Sequence, residues 1–380
     1  MTPFDDSEQS AVRVTVSRPA SGSGEDSYLR EGPRIHTPGS VVIVPVTAEL
    51  LETHTGINVR RFLQTAVALA ADNDSRVLLL GIETVPNGSA LETVREQVYA
   101  DQPTESDMIT LVNTIRERQT QLAEMVDVAG ELSPNVRVSA AVRVVTNVTD
   151  GILDVLGSDS NTAVLLLRGT GLDDGWLLKQ STIDRVLAEA ECDVFVENTD
   201  ARGGENALYV PDVEGHTVAS LAESGVETID SILLPVGEGP HSALAAEAAR
   251  AVARSTDASV TVFHVISPDA SAEERAESED LLKFADYVLG SDVRTETVLR
   301  EASDTTDSIL QAARDHDFVS IGAPERKPRL EQLVLQSARE TISDLSEATI
   351  LVARDSDRTM RSLYYRWKRG IEAIDNESDP

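Results

Sequence analysis

The sequence predicts an α/β protein made of two tandem, doubly wound parallel-sheet domains. Three observations carry this. Runs such as Val41–Val46 (VVIVPV) and Arg76–Val85 (RVLLLGIETV) are apolar throughout, as strands covered on both faces are. Segments with helical spacing separate these runs, which is the alternation of a parallel sheet. The same order of elements then begins a second time.

Residues 1–34 are rich in Ser, Gly and acidic residues, with one short alternating run (VRVTV), and are expected to be a disordered tail. A first domain over 35–200 opens on the strand VVIVPV and the helix NVRRFLQTAVALAADND. After the strand RVLLLGIETV comes a long polar helical region, TESDMITLVNTIRERQTQLAEMVDVAGEL. The strand VRVSAAVRVV, helix TDGILDVLGS, strand AVLLLRG, helix STIDRVLAEAE and strand CDVFVE complete it. Residues 201–228 read as a linker. A second domain over 229–356 repeats the series: SILLPV, ALAAEAARAVARSTDA, SVTVFHVIS, DVRTETVL and FVSIGAP. The match is sharpest near the end of each domain. Ser181 precedes Val194, and Ser337 precedes Ile350, by the same thirteen residues, each serine following a glutamine. A duplication explains this better than two unrelated α/β segments.

The net charge of −32 makes a general nucleic-acid binder or an anionic-membrane binder unfavourable. Only four lysines occur among 380 residues, and such lysine-poor, acidic composition fits a salt-rich cytoplasm that screens self-repulsion. A single cysteine, Cys192, excludes an internal disulfide, and the six histidines have no metal-ligand spacing. No apolar run approaches the ~18 residues of a membrane span, and the first ten residues do not read as a signal peptide. The expected location is cytoplasmic.

The strands VIVPV and ILLPV, the run VFHVISP and the Gln-Ser that precedes each last helix resemble the universal stress protein family over roughly residues 40–198 and 230–354. The resemblance implies two Rossmann-like domains of five parallel strands, paired within the chain or in a homodimer. It also implies a site for ATP or another adenine nucleotide where strand order reverses. In ATP-binding members the first strand ends in an aspartate; Gly237 and Thr47 stand there instead. An aliphatic residue of the second strand packs on adenine, matched by Val265 and Ile82. In the phosphate motif Gly322 and Ser337 match, while Glu325 replaces a glycine. In the first domain Gly169 and Ser181 match in a shorter loop that carries Asp173 and Asp174. Arg326, Lys327 and Arg329 make the second loop basic, so a phosphorylated ligand is expected at Gly237, Val265, Gly322, Arg326 and Ser337. The alternative for Ser181 and Ser337 is a helix N-cap, and for the basic cluster a solvated loop.

No catalytic constellation is visible. His264 reads as a satisfied core residue, and His241 is the histidine expected at the pocket. Residues 357–380 carry an amphipathic stripe (Met360, Leu363, Tyr364, Trp367, Ile371, Ile374) with five basic residues between 358 and 369. Such a helix either folds back on the acidic body or docks to a membrane transporter or acidic partner. The expected function is therefore non-catalytic: a stress-response or regulatory protein. The alternatives are a transporter regulator and an ATP-binding switch with slow ATPase activity.

Overall fold

The computed structural model describes residues 13–16, 40–52, 59–98, 106–157, 162–172, 181–198, 229–323 and 348–356. The first half comprises β1 (Arg13–Val16), β2 (Val41–Val46), α1 (Ala48–Glu52), α2 (Val59–Asp72), β3 (Arg76–Thr84), α3 (Gly88–Val98), α4 (Ser106–Leu132), β4 (Val138–Val145), α5 (Val148–Leu156), β5 (Thr162–Leu167), α6 (Thr182–Glu189) and β6 (Asp193–Asn198). The second comprises β7 (Ser231–Pro235), α7 (Pro240–Thr256), β8 (Ser259–Ile266), α8 (Ala272–Leu289), β9 (Arg294–Glu301), α9 (Thr305–Ala313), β10 (Phe318–Gly322) and β11 (Thr349–Arg354). The fold is α/β around parallel strands, as the apolar runs required.

The two halves share one sheet. Its order is β1-β4-β3-β2-β5-β6-β11-β10-β7-β8-β9. Every pair is parallel except β6 with β11, where the halves meet antiparallel. In that pair Val196 lies opposite Val352, and the repeat equates these same two residues. A pseudo-two-fold axis therefore passes through them.

Alternate side chains of the buried strands fill two cores. Val44, Leu79, Leu165, Leu234 and Phe318 face α2, α4, α7 and α8. Leu80, Leu166, Val194, Leu233 and Val319 face α5, α6 and α9. Each fully buried chain of this size contributes about 1.5–3 kcal/mol. Across the seam, the buried Asp72 of α2 accepts from Arg250 Nε (2.9 Å) and Nη2 (2.7 Å) and from Arg254 Nη1 (2.6 Å), both on α7. Arg354 donates to the carbonyls of Cys192 (3.0 Å) and Ala190 (2.8 Å).

Three features depart from the sequence reading. Arg13–Val16, within the segment expected to be disordered, form an edge strand parallel to β4. Its alternation suits an edge, where only one neighbour supplies hydrogen bonds. The connection from β3 to β4 holds two helices where the second half has α8 alone. Packing of α4 needs Gly81, since a Cβ there would come within 2.6 Å of Leu122 Cδ1. It also buries an ion pair, Arg118 Nε to Glu83 Oε1 at 2.5 Å. Finally, the sheets of the two halves, expected as tandem domains, join through β6 and β11 into one.

Candidate functional site

Strand order reverses between β2 and β5 and again between β7 and β10, and ligands of open parallel sheets bind outside the carboxyl ends at such points. A proline helps to open the second crevice. Val236 N–H donates to Phe263 O (2.8 Å), so the backbone of Pro235, one residue earlier, faces β10 instead. Proline has no N–H to give, and the β7–β10 pairing stops at Leu233 with Val319. In the first half Pro45 occupies the same place, and β2 pairs with β5 only as far as Ile43 with Val164.

At the second corner the chain leaves β7 through exposed Gly237, where a Cβ would meet nothing within 4 Å. Gly237 N–H donates to Ser242 Oγ (3.0 Å). Gly239, with φ 107°, is the N-cap of α7 and offers no side-chain cap to a 17-residue helix. The positive end of the helix dipole lies at this first turn. Gly322 ends β10 directly against that turn, since a Cβ would lie 2.7 Å from both His241 C and Ser242 N. Gly237, Gly322 and the start of α7 are thus brought together. Val265, on β8, is half-buried and packs partly on the core of the α9 face. Arg326, Lys327, Arg329 and Ser337 lie outside the described residues.

Two histidines flank this corner. His264 Nδ1 donates to Val236 O (2.7 Å), and the ring is half-buried and satisfied as expected. His241 Nδ1 accepts from Asp355 N–H (3.1 Å), which puts the neutral ring's proton on Nε2 and ties α7 to the end of β11. Beside them, burial raises the Asp193 carboxyl, with the charge of Asp355 adding to the effect and the Ser356 amide opposing it.

The first corner is closed by its own chain. Thr47 Oγ1 donates to Thr170 O (2.6 Å) and accepts from Leu50 N–H (3.2 Å). Thr170 Oγ1 donates to Leu167 O (2.7 Å), and Leu172 is wholly buried. Glu49 fills the space beside Gly171, whose φ is 76°. Ile82, the counterpart of Val265, is 3% exposed within the core. Ser181 is the N-cap of α6, in a capping box with Asp184. Asp173 and Asp174 fall outside the described residues.

Away from that corner, the first half has an open cleft of about 600 Å³ at the ends of β3 and β4. Thr84, Val85 and Pro86 line one side, and Asn147, Thr149 and Thr182 the other. Thr149 and Thr182 hydroxyls lie 2.8 Å apart, and Asn147 Oδ1 caps α5 by accepting from Asp150 N–H (3.0 Å). The lining side chains are uncharged. Sequence reasoning missed the cleft, although the run TNVT was visible.

Among the described residues no group of three His, Cys, Asp or Glu side chains is arranged to hold a metal ion. No described helix is long and apolar enough to cross a membrane.

The sequence profile described as "Universal stress protein family" matches residues 228–354. No curated protein matches. Among solved structures, a universal stress protein from Archaeoglobus fulgidus is 14% identical, with TM-score 0.47, over 83% of this chain and 97% of its own. A putative universal stress protein from Pseudomonas aeruginosa is 17% identical, with TM-score 0.42, over 84% and 94%. The cytoplasmic domain of a prokaryotic cation chloride cotransporter is 12% identical, with TM-score 0.44, over 84% and 97%.

Proposed function

We propose that the protein is a non-catalytic regulatory protein of the universal stress protein type, whose second half senses a nucleotide or another phosphorylated ligand. One observation carries this reading: Gly237 and Gly322 meet the start of α7, whose N-cap glycine gives no side-chain cap, at a strand-order reversal, so the positive end of the helix dipole lies beside the crevice. The reading places Val265 against a base and assigns Arg326 and Ser337 to the phosphates. ATP or another adenine nucleotide is the first ligand to test. The universal stress protein profile covers this half, which supports the choice. In NMR titrations with ATP, ADP and cyclic dinucleotides, shifts should centre on Gly237, Val265 and Gly322. Shifts centred on Gly169 and Ser181, or no shifts at all, would overturn the reading. Phosphate release above background would move the protein to the ATP-binding switch class.

A second reading rests on the basic amphipathic stripe of residues 358–374. In it, the protein is a cytoplasmic regulator of a membrane transporter or another acidic partner. Deleting 357–380 should then abolish recovery with membranes or partner while leaving the melting temperature unchanged. A lowered melting temperature would instead assign the stripe to the protein's own core. Adaptation to a salt-rich cytoplasm has its own check. At −32 net charge, the melting temperature should rise with KCl up to about 1 M, as screening shortens to ~3 Å. A flat response would remove that part of the reading.

A further inference from the structure

The seam between the halves buries a carboxyl group that the ligand site does not use. Glu197 lies on β6, opposite Leu351 of β11 and beside Leu167 of β5. It is 0% exposed, and neither carboxylate oxygen has a hydrogen-bond partner of good geometry. The repeat equates it with Ala353, sixteen residues beyond the corresponding serine, so the second half places a methyl group where the first places an acid. Thr349, on β11 in the same seam, also buries a hydroxyl without a partner among the described residues. An ionised carboxylate in such surroundings is strongly disfavoured, whereas the neutral acid is tolerated.

The charged and polar groups around it do not reverse this. From α2, the Thr65 hydroxyl and Arg61 guanidinium favour the ionised form, but Arg61 Nη2 is engaged by the Asp317 carbonyl at 3.1 Å. Burial outweighs both and pushes the Glu197 carboxyl up to about 8. A second acid borders the seam from the other half. Glu247 on α7 is pushed up to about 7 by burial; Arg250 opposes this, while Asp193, Asp355 and Asp72 add to it.

We propose that the seam is a proton-operated latch: Glu197 sits in it as the neutral acid, and losing that proton loosens the pairing of β6 with β11. The sign follows from linkage. Opening the seam returns Glu197 to water and its ordinary acidity, so the opened form releases a proton that the closed form holds. Opening is therefore favoured progressively as pH rises from the ordinary carboxylate range towards about 8, and the effect levels off above it. The ligand reading of the second corner plays no part in this inference.

The test is native-state hydrogen exchange on the full chain from about pH 5 to 9, corrected for intrinsic exchange rates. In the wild type, the opening equilibrium read at Val194, Val196 and Val352 should grow by up to about tenfold per pH unit below 8. In Glu197→Gln that slope should shrink to the remaining contribution of Glu247, and in Glu197→Gln/Glu247→Gln it should vanish. A wild-type slope retained in the double variant would overturn the proposal. If the variants do not fold, carbon-13 NMR of the wild-type glutamate carboxyls decides it. A Glu197 resonance titrating near 8 supports the latch, and one titrating in the ordinary carboxylate range overturns it.

Discussion

The two corners where strand order reverses occupy equivalent places in the two halves and are built in opposite ways. At the first, Thr47 bridges to Thr170, Glu49 presses on Gly171 and Leu172 is swallowed by the core. At the second, glycine stands at the place of Thr47, nothing fills its side-chain space, and the first turn of α7 is left uncapped. A handful of residues thus decides whether a parallel-sheet crevice stays open or becomes a piece of core. The first half spends its polar groups on itself. The second starts α7 on a glycine that gives no side-chain cap.

The halves differ most in an interaction of the first that is absent among the described residues of the second. Arg118→Ala leaves Glu83 charged and buried, and should cost about 3–5 kcal/mol in chemical denaturation. Loss of protection should be confined to β3, β4 and α4. A cost below about 1 kcal/mol would show that this ion pair does not hold the first half's extra helix. Next in size is Gly322→Ala, whose new methyl strikes backbone rather than a movable side chain. It should cost about 1–3 kcal/mol and displace the start of α7, and an unchanged melting temperature would refute the close approach.

Thr47→Val asks whether the first corner is held shut by its hydroxyl. It strips partners from the Thr170 carbonyl and Leu50 amide and should cost about 1–2 kcal/mol, with faster amide exchange at Leu50. Unchanged exchange would place the closure elsewhere. The smallest effect belongs to Gly237→Ala, which points its methyl into open space and should stay within about 0.5 kcal/mol of the wild type. A large loss there would mean that the second corner is as full as the first.

Much of this was readable in the residues, for a physical reason. Strands buried on both faces must be apolar at every position, so VVIVPV and SILLPV announce themselves and their shared proline. Glycine at position 322 likewise marks a close backbone approach before the fold is known. The seam was harder to see. Which edges of two sheets join depends on register, and an apolar strand reads the same whether its outer neighbour is water, helix or strand. Glu197 at the end of CDVFVE carries no sequence signal of burial, because its neighbours on α2 and β11 lie far away in sequence. The neutral cleft was hidden for a similar reason. Threonines after a strand are ordinary turn residues until a second helix brings Thr182 against Thr149. The basic loop and the C-terminal stripe, both singled out in the sequence, lie outside the described residues.

The antiparallel pairing of β6 with β11 has one more consequence. Two strands on separate chains would meet at a rate and extent set by dilution, whereas here one covalent backbone carries both. The effective concentration of each edge for the other is on the order of millimolar or more, whatever the abundance of the protein in the cell. Separate copies of one sequence must also be identical, so any change at one corner would appear at both. Joining the copies end to end frees each corner to change alone, which is how a carboxyl group could settle on one side of an axis and a methyl group on the other.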